Sequence, residues 1–430
     1  MNRNVLVIAY YFPPMGLSGV QRTVKFVKYL SNHGWDPVVL TVAPGGYYAY
    51  DESLLREVED AGVEIVRTES LDPTRLYKQG EAVKLPRESV RKLMNRVSQT
   101  VFFPDNKIGW KKKAVQKAKA IRENYNFELV FSTAPPFTDH IIGRDVSREL
   151  QIPLVLDYRD AWLDYQFAFY PTPLHRYIHF RLENSCVRSA SRIVVVNRRI
   201  KIKLLERYKY LHYNDVNIIP QGFDPADFQV NEIPPLPDSH TMRVTHTGTF
   251  IEDITPVPLL KALAKIYNGN PKLKGRIKLT FAGLFRKEDE KVIRKLGLQN
   301  DVELLGYIEH RKCTNLMMSS DVLYITLGKK KNHDHHTTGK LYDYFGARKP
   351  ILAAVPDGVV SQIVNETQSG IVTDPENVDE IANGLLHYFE KFRRRELQPV
   401  PESAVEKYDR TKLTEELARI FNKVTEYAYT

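Results

Sequence analysis

Short apolar runs alternate with stretches of helical periodicity along almost the whole chain. The run "NVLVIAY" (4–10) precedes a helix predicted over Val20–His33, and "DPVVLTV" (36–42) precedes another near Ser53–Asp60. "VEIVRT" (63–68) is followed by an interruption. The alternation resumes with "FELVFST" (127–133), a helix over Phe137–Leu150, "IPLVLDY" (152–158) and a helix near Leu174–Arg188. "RIVVVN" (192–197), one further helix and "VNIIPQGFD" (216–224) close the series. Short runs rich in Val, Ile and Leu and lacking polar alternation read as strands covered on both faces. Strands that alternate with helices predict a parallel sheet in an α/β domain.

The pattern then breaks. "DPADFQVNEIPPLPDSHT" (224–241) is rich in Pro and Asp, has no period and reads as a linker. A second series follows: "MRVTHTG", a helix over Pro258–Tyr267, "IKLTFAG", a helix near Glu288–Leu296, and "VELLGYI". It continues with a helix over Arg311–Ser319, "DVLYITL", a helix holding Lys340, "PILAAV", a helix after Pro356, "GIVT", and a helix from Val378 to about Arg394. A Pro-Glu break at 399–402 precedes a last amphipathic helix, "RTKLTEELARIFNKVTEYA". These boundaries predict an N-terminal Rossmann-like domain over 1–224, a linker over 225–241 and a C-terminal Rossmann-like domain over 242–398. A helical tail over 399–430 is expected to pack back on the first domain. At 430 residues the chain is too long for one core, which agrees with two doubly wound domains.

Composition narrows the function classes. Only two cysteines occur, Cys186 and Cys313, outside any CxxC context, so a disulfide scaffold and a thiolate zinc site are excluded and a reducing cytoplasm is expected. The opening apolar run is too short for a signal peptide, and no stretch reaches the length of a membrane span. The net charge of +10 is uneven: from Lys84 to Arg122 the only acids are Glu88 and Asp105, within a basic insertion spanning about 70–122. That segment is either a solvated helix face or a surface for anionic lipid, and Phe102, Phe103 and Trp110 within it favour membrane contact. No DNA- or RNA-reading motif accompanies it, so no nucleic-acid partner is expected.

The first strand leads into "YYFPPMGLSGVQR", a glycine-bearing turn before a helix. Gly16 and Gly19 would let a phosphate approach free backbone N–H groups there, although an ordinary tight turn fits the spacing equally. The GxGxxG fingerprint is absent, and "VVLTVAPGG" ends the second strand without the acid that grips a nicotinamide ribose, which disfavours an oxidoreductase. The absence of GxxxxGK[ST] excludes a P-loop NTPase.

Four segments together resemble one family. "YYFPPMGLSGVQR" with "LSNHGWDPVVLT", "IPLVLDYRDAW", "VNIIPQGFD" and above all "GKLYDYFGARKPILAAV" are similar to the signatures of family 4 retaining glycosyltransferases of the GT-B fold. The resemblance covers nearly all of the chain outside the basic insertion. It implies a nucleotide-diphosphate sugar, of uridine or guanosine, as donor, a glycan or lipid-linked acceptor, no metal and no cofactor. It places the donor diphosphate on the helix that starts near Thr338, with Thr337, Thr338, Gly339, Lys340 and Leu341 around it. Asp343 would stand where members carry a ribose-binding carboxylate, usually a glutamate; an i,i+3 surface pair with Lys340 is the plain alternative.

His335 occupies the position, eight residues before that carboxylate, where members often contact the donor sugar with an acid. Four consecutive residues, His333–His336, on one loop rarely make a metal tetrahedron, so a sugar-facing rim or a solvated loop is expected. Tyr307 and Ile308 in "ELLGYIEH" match the turn that holds the base, with core packing as the alternative for Tyr307. "DYRDAW" supplies Arg159 and Asp160 as catalytic candidates, Asp160 either orienting the acceptor or forming a buried Asp–Arg pair or helix cap.

Two departures stand out. Members usually clamp the diphosphate with an Arg and a Lys just after the first strand of the second domain, whereas "HTGTFIEDITP" has no basic residue. Lys340 would then carry more of that charge, helped by Arg286 or Arg22. In "STAPPFTDH" the histidine, His140, falls inside the helix rather than in the loop where many members place a catalytic one. Two alternatives share the fold, a nucleotide-sugar 2-epimerase and a non-catalytic sugar-binding module. The first wants acids around the sugar; the second gains from the missing clamp.

Overall fold

The computed structural model describes residues 2–16, 18–45, 50–72, 88–165, 167–229, 240–250, 253–329 and 338–428. The chain divides into two compact units, residues 1–221 with 410–430, and residues 222–409.

Unit 1 holds seven parallel strands: β1 (Arg3–Ile8), β2 (Trp35–Val42), β3 (Glu64–Thr68), β4 (Phe127–Ala134), β5 (Leu154–Tyr158), β6 (Arg192–Val195) and β7 (Val216–Ile218), ordered β3-β2-β1-β4-β5-β6-β7. Its helices are α1 (Ser18–Leu30), α2 (Glu52–Asp60), α3 (Glu88–Val101), α4 (Lys111–Ile121), α5 (Thr138–Leu150), α6 (Pro173–Ser189) and α7 (Arg198–Arg207). Alternate residues of each strand serve different cores, which is why the strands read as continuous apolar runs. Leu6, Ile8, Leu40 and Val130 pack with Ile142 of α5 and Ile200 of α7. Val5, Val7, Val39 and Phe131 pack with Val24 of α1 and with Leu417 and Phe421 of the terminal helix, Arg410–Ala428.

Unit 2 repeats the plan with β8 (Met242–Thr247), β9 (Ile277–Ala282), β10 (Val302–Gly306), β11 (Val322–Thr326), β12 (Ile351–Ala354) and β13 (Gly370–Thr373), ordered β10-β9-β8-β11-β12-β13. Helices α8 (Val257–Gly269), α9 (Lys287–Lys295), α10 (His310–Met318), α11 (Gly339–Ala347), α12 (Val359–Glu366) and α13 (Val378–Arg393) cover it. One face joins Val244, Leu279 and Tyr324 to Leu260 of α8 and Leu385 of α13. The other joins Leu323, Ile325 and Ile351 to Leu341 and Phe345 of α11.

The tail divides later than its Pro-Glu break predicts. Val400, Val405 and Tyr408 are buried in the core of unit 2, and only from Arg410 does the chain belong to unit 1. At the other boundary, Gly222–Gln229 also belongs to unit 2, with the Phe223 N–H donating to the Tyr408 carbonyl at 3.0 Å. Most of the predicted linker, 230–239, lies outside the described residues.

Candidate active site

In an open parallel sheet the strand order reverses at one point, and the loops leaving the strand ends there diverge and leave a crevice. In unit 2 that point lies between β8 and β11, so the residues after Thr247 and the start of α11 meet there.

Three adjacent strands end in glycine: Gly248 after β8, Gly283 after β9 and Gly306 closing β10, with φ of 131°, 134° and 67°. The Gly248 N–H donates to the Ala282 carbonyl at 2.6 Å and the Gly283 N–H to the Gly306 carbonyl at 2.7 Å, which ties the three ends into a shelf without side chains. A Cβ at Gly283 would strike the backbone of Gly248, and one at Gly248 would strike Cε and Nζ of Lys340. The Lys340 side chain thus lies along the Gly248 backbone, over the very loop that lacks a basic residue of its own. The motifs that end "THTG", "TFAG" and "ELLG" carried this signal, and reading the strands for apolar runs alone passed over it.

Helix α11 supplies the second half. Asp51, Asn197 and Asn377 cap α2, α7 and α13 through their side chains, whereas Thr338, the N-cap of α11, makes no side-chain cap bond, as is also true of Phe137, Thr172 and Pro256 at α5, α6 and α8. Backbone N–H groups of the first turn are the natural partners of an anion when no side chain takes them. Leu341 is not among these donors: its N–H bonds to the Thr338 carbonyl at 3.2 Å and its side chain is a core residue. Burial pushes the Lys340 ammonium down to about 8, while Cys313 and Asp343 pull the other way. Both Lys340 and Asp343 are half-buried rather than on an open surface. The Cys313 thiol is pushed up to about 12 by burial and by Asp343, so it stays protonated.

Buried polar groups hold the shelf in place. The Tyr344 hydroxyl accepts the Thr247 N–H at 3.1 Å and donates to the Tyr324 carbonyl at 2.9 Å, fastening α11 to β8 and β11. His246 is 1% exposed, donates from Nδ1 to the Tyr324 carbonyl at 2.9 Å and stacks on Phe250. Burial and then Lys340 keep its ring neutral.

The other predicted residues of unit 2 fall variously. Arg286 stands at the N-cap position of α9 without a side-chain cap bond and is paired with Asp289, Nε to Oδ2 at 2.7 Å. Tyr307 is exposed and Ile308 half-buried, both just beyond the edge strand β10 and next to Gly306, so core packing of Tyr307 is excluded. His335 and Thr337 lie outside the described residues.

In unit 1 the reversal falls between β1 and β4, and here one expectation is overturned. Arg22 is no phosphate ligand: it is 1% exposed, forks onto Asp157 at 2.8–3.2 Å and donates to the Ile219 and Pro220 carbonyls at 3.0 and 2.7 Å. Burial alone would raise the Asp157 carboxyl, but Arg22 and the Thr133 hydroxyl at 2.7 Å hold it below the usual range. The buried Asp–Arg pair considered for Asp160 therefore exists, between different partners. Arg159 donates to the Gly19 and Pro135 carbonyls and so holds the start of α1 against the β4 loop, while Asp160 is half-buried. Gly16 is buried and Gly19, the second residue of α1, is exposed. His140 is fully buried, bonded through Nδ1 to the Ser132 hydroxyl at 2.9 Å, and burial lowers it to about 3, so its ring is neutral.

Beside these strand ends, Tyr11, Phe137, Trp162, Tyr165, Tyr170 and His179 line a cavity of about 140 Å³. Phe137 and Trp162 stack at 4.8 Å. Sequence reading placed Trp162 at this strand end without its aromatic neighbours, which come from four separate segments.

Residues 17–227 match the family model described as Glycosyltransferase Family 4, and residues 246–397 match Glycosyl transferases group 1. The chain is a family 4 glycosyltransferase. Between them the two matches span both units and most of the chain. The fold of this glycosyltransferase is also that of a Rickettsia africae glycosyltransferase, at TM-score 0.66 and 15% identity, over 98% of each chain. Sucrose-phosphate synthase from Thermosynechococcus elongatus is similar at TM-score 0.66 and 13% identity, over 100% of each chain. WaaG, a glycosyltransferase involved in lipopolysaccharide biosynthesis, is similar at TM-score 0.60 and 13% identity, over 97% of this chain and 99% of its own. No curated protein matches the chain by sequence. The GT-B fold expected from the motifs is the fold observed, and the enzyme is a glycosyl-transferring one.

Proposed function

We propose that this glycosyltransferase moves a sugar, with retention of anomeric configuration, from a uridine or guanosine diphosphate sugar to a polysaccharide, lipopolysaccharide or lipid-linked glycan acceptor. Its place of work is the cytoplasmic face of a membrane. The observation that carries the reading is Lys340, half-buried, laid over the bare Gly248–Gly283 shelf at the uncapped start of α11.

The diphosphate lies on that shelf, its oxygens facing the amides of Gly339 and Lys340 and the Lys340 ammonium. As the bond from the anomeric carbon to the phosphate oxygen breaks, the electron pair and its negative charge pass to the diphosphate, which Lys340 and the helix dipole stabilise. The acceptor oxygen bonds the anomeric carbon on the same face, and its proton passes to the departing phosphate oxygen. No strong protein base is required, and the buried imidazole beside Lys340, His246 of β8, is neutral and enclosed. Asp343, one helical turn from Lys340, takes the ribose hydroxyls, and the aromatic cavity of unit 1 receives the acceptor sugar against Trp162. The residues present require no metal for this charge balance, since the ammonium and amides supply the positive field.

Calorimetry with uridine, guanosine and adenosine diphosphates tests the reading. One of them binds the native protein, and Lys340→Ala weakens it by about 10- to 100-fold, the worth of a charge-assisted contact. Equal affinity in the variant removes the site, and no binding to any nucleotide removes the donor. Release of free sugar or of its 2-epimer from the donor that binds separates transfer from epimerisation.

A further inference from the structure

Helix α3 is turned inside out. Its apolar side chains Leu93, Met94, Val97 and Val101 fall on one face by helical spacing, and they are 64, 49, 56 and 61% exposed. The polar side is the one that meets the rest of unit 1. The Gln99 amide donates to the Phe167 carbonyl at 3.0 Å and accepts the Phe169 N–H at 2.5 Å, and His175 Nε2 donates to the Thr100 carbonyl at 3.3 Å. A surface helix normally buries its apolar stripe, so one that shows it keeps it for a partner. The stripe continues on the adjoining segment, where Phe169, Leu174 and Tyr177 are 37, 62 and 53% exposed, and the Arg96 guanidinium sits over the Phe169 ring at 5.4 Å. Two of the three aromatics singled out from the sequence are not part of it: Trp110 is fully buried with Nε1 bonded to the Thr68 hydroxyl at 2.7 Å, and Phe103 packs on His175 and His179.

We propose that this face docks on an anionic phospholipid bilayer. The apolar stripe enters the boundary between headgroups and acyl chains, and the basic residues meet the phosphates. Charge selects this occupant. By sequence helix α3 carries Arg91, Lys92 and Arg96 against Glu88 alone. A second copy of the chain would bring the same positive charge against itself, which opposes association through this face. No helix among the described residues is long and apolar enough to cross a membrane, so docking is by contact with the surface. Gln99, near the end of α3, also lines the aromatic cavity, so a lipid-borne acceptor held in the bilayer would present its sugar beside Trp162. That last step rests on the proposed sugar transfer; the docking does not.

The test is flotation of the full-length protein with vesicles of phosphatidylcholine alone and of phosphatidylcholine with phosphatidylglycerol, at low and high salt. The native protein floats with the anionic vesicles and less so at high salt. The double variant Leu93→Glu with Val97→Glu binds at least about tenfold more weakly, as expected from replacing two inserted apolar side chains by charges. Both residues are exposed, so circular dichroism, the thermal midpoint and nucleotide affinity are unchanged. The proposal is overturned if the native protein stays out of the vesicle fraction, if the double variant floats equally well, or if light scattering shows a native dimer that the variant dissociates. Lost nucleotide binding with intact flotation would strike only the proposed function, and the reverse result only the docking.

Discussion

The substitution Gly248→Ala isolates the geometry on which the proposed donor binding rests. It adds one methyl at a backbone φ of 131°, where residues with a Cβ are strained, and that methyl points into the Lys340 side chain. Strain at such a position costs about 1–3 kcal/mol, which lowers the stability of unit 2 whatever Lys340 does. The displaced ammonium then loses its charge-assisted contacts with the diphosphate, each worth about 1.5–3 kcal/mol, so affinity for the nucleotide that binds falls by about 10- to 100-fold. The two losses can be told apart by a double-mutant cycle with Lys340→Ala. In the Lys340→Ala background the long side chain that the added methyl would strike is gone, so its effect on affinity shrinks by about 1 kcal/mol or more while the backbone strain persists in thermal unfolding. Calorimetry on the four proteins, with thermal midpoints recorded beside it, gives both quantities. Strictly additive affinities, or a Gly248→Ala protein that binds as tightly as the native one, would show that Lys340 and the glycine shelf do not act together.

Three further outcomes follow from other groups. Lys340 is charged below about 8 in the free protein and a bound diphosphate raises that value, so with the diphosphate fully ionised nucleotide affinity falls about tenfold per unit above pH 8; Lys340→Ala removes that alkaline fall. Arg22→Ala leaves Asp157 buried and unpaired, so it destabilises unit 1 by about 3–5 kcal/mol in denaturant unfolding while nucleotide affinity holds; weakened affinity at unchanged stability would restore Arg22 as a ligand. Phe421→Ala empties a ring site packed on Trp35 and Phe131, both centroids at 5.4 Å, and costs unit 1 about 3–5 kcal/mol by the same measurement; a negligible change would mean the terminal helix is not needed by that sheet.

The strands and most helices were legible because a doubly wound sheet writes its strands as unbroken apolar runs, from "NVLVI" to "PILAA". The helix that carries Lys340 and Asp343 was legible because its motif is specific. What escaped was set by distant partners. Arg22 reads as a phosphate ligand from its neighbours in the chain, but its partner Asp157 stands 135 residues away. The Pro-Glu break at 399–402 reads as a domain edge, yet Val400 and Tyr408 find a hydrophobic site in unit 2 that local composition does not reveal. The basic insertion reads as charge, and its apolar stripe became visible only when the structure showed which side of α3 faces water. The glycines that end β8, β9 and β10 stood in plain view as a recurring last letter, but their shared purpose needs the sheet order that sets them side by side.

Because residues 410–430 complete the sheet packing of unit 1, the order of synthesis and the order of folding do not coincide. All of the middle unit has been translated before the first unit receives Leu417 and Phe421, so until then the side of its nascent sheet with Val5, Val7 and Phe131 has α1 over it but not the terminal helix. Loss of the single helix Arg410–Ala428 would therefore take part of the cover from the half of the enzyme that is made first.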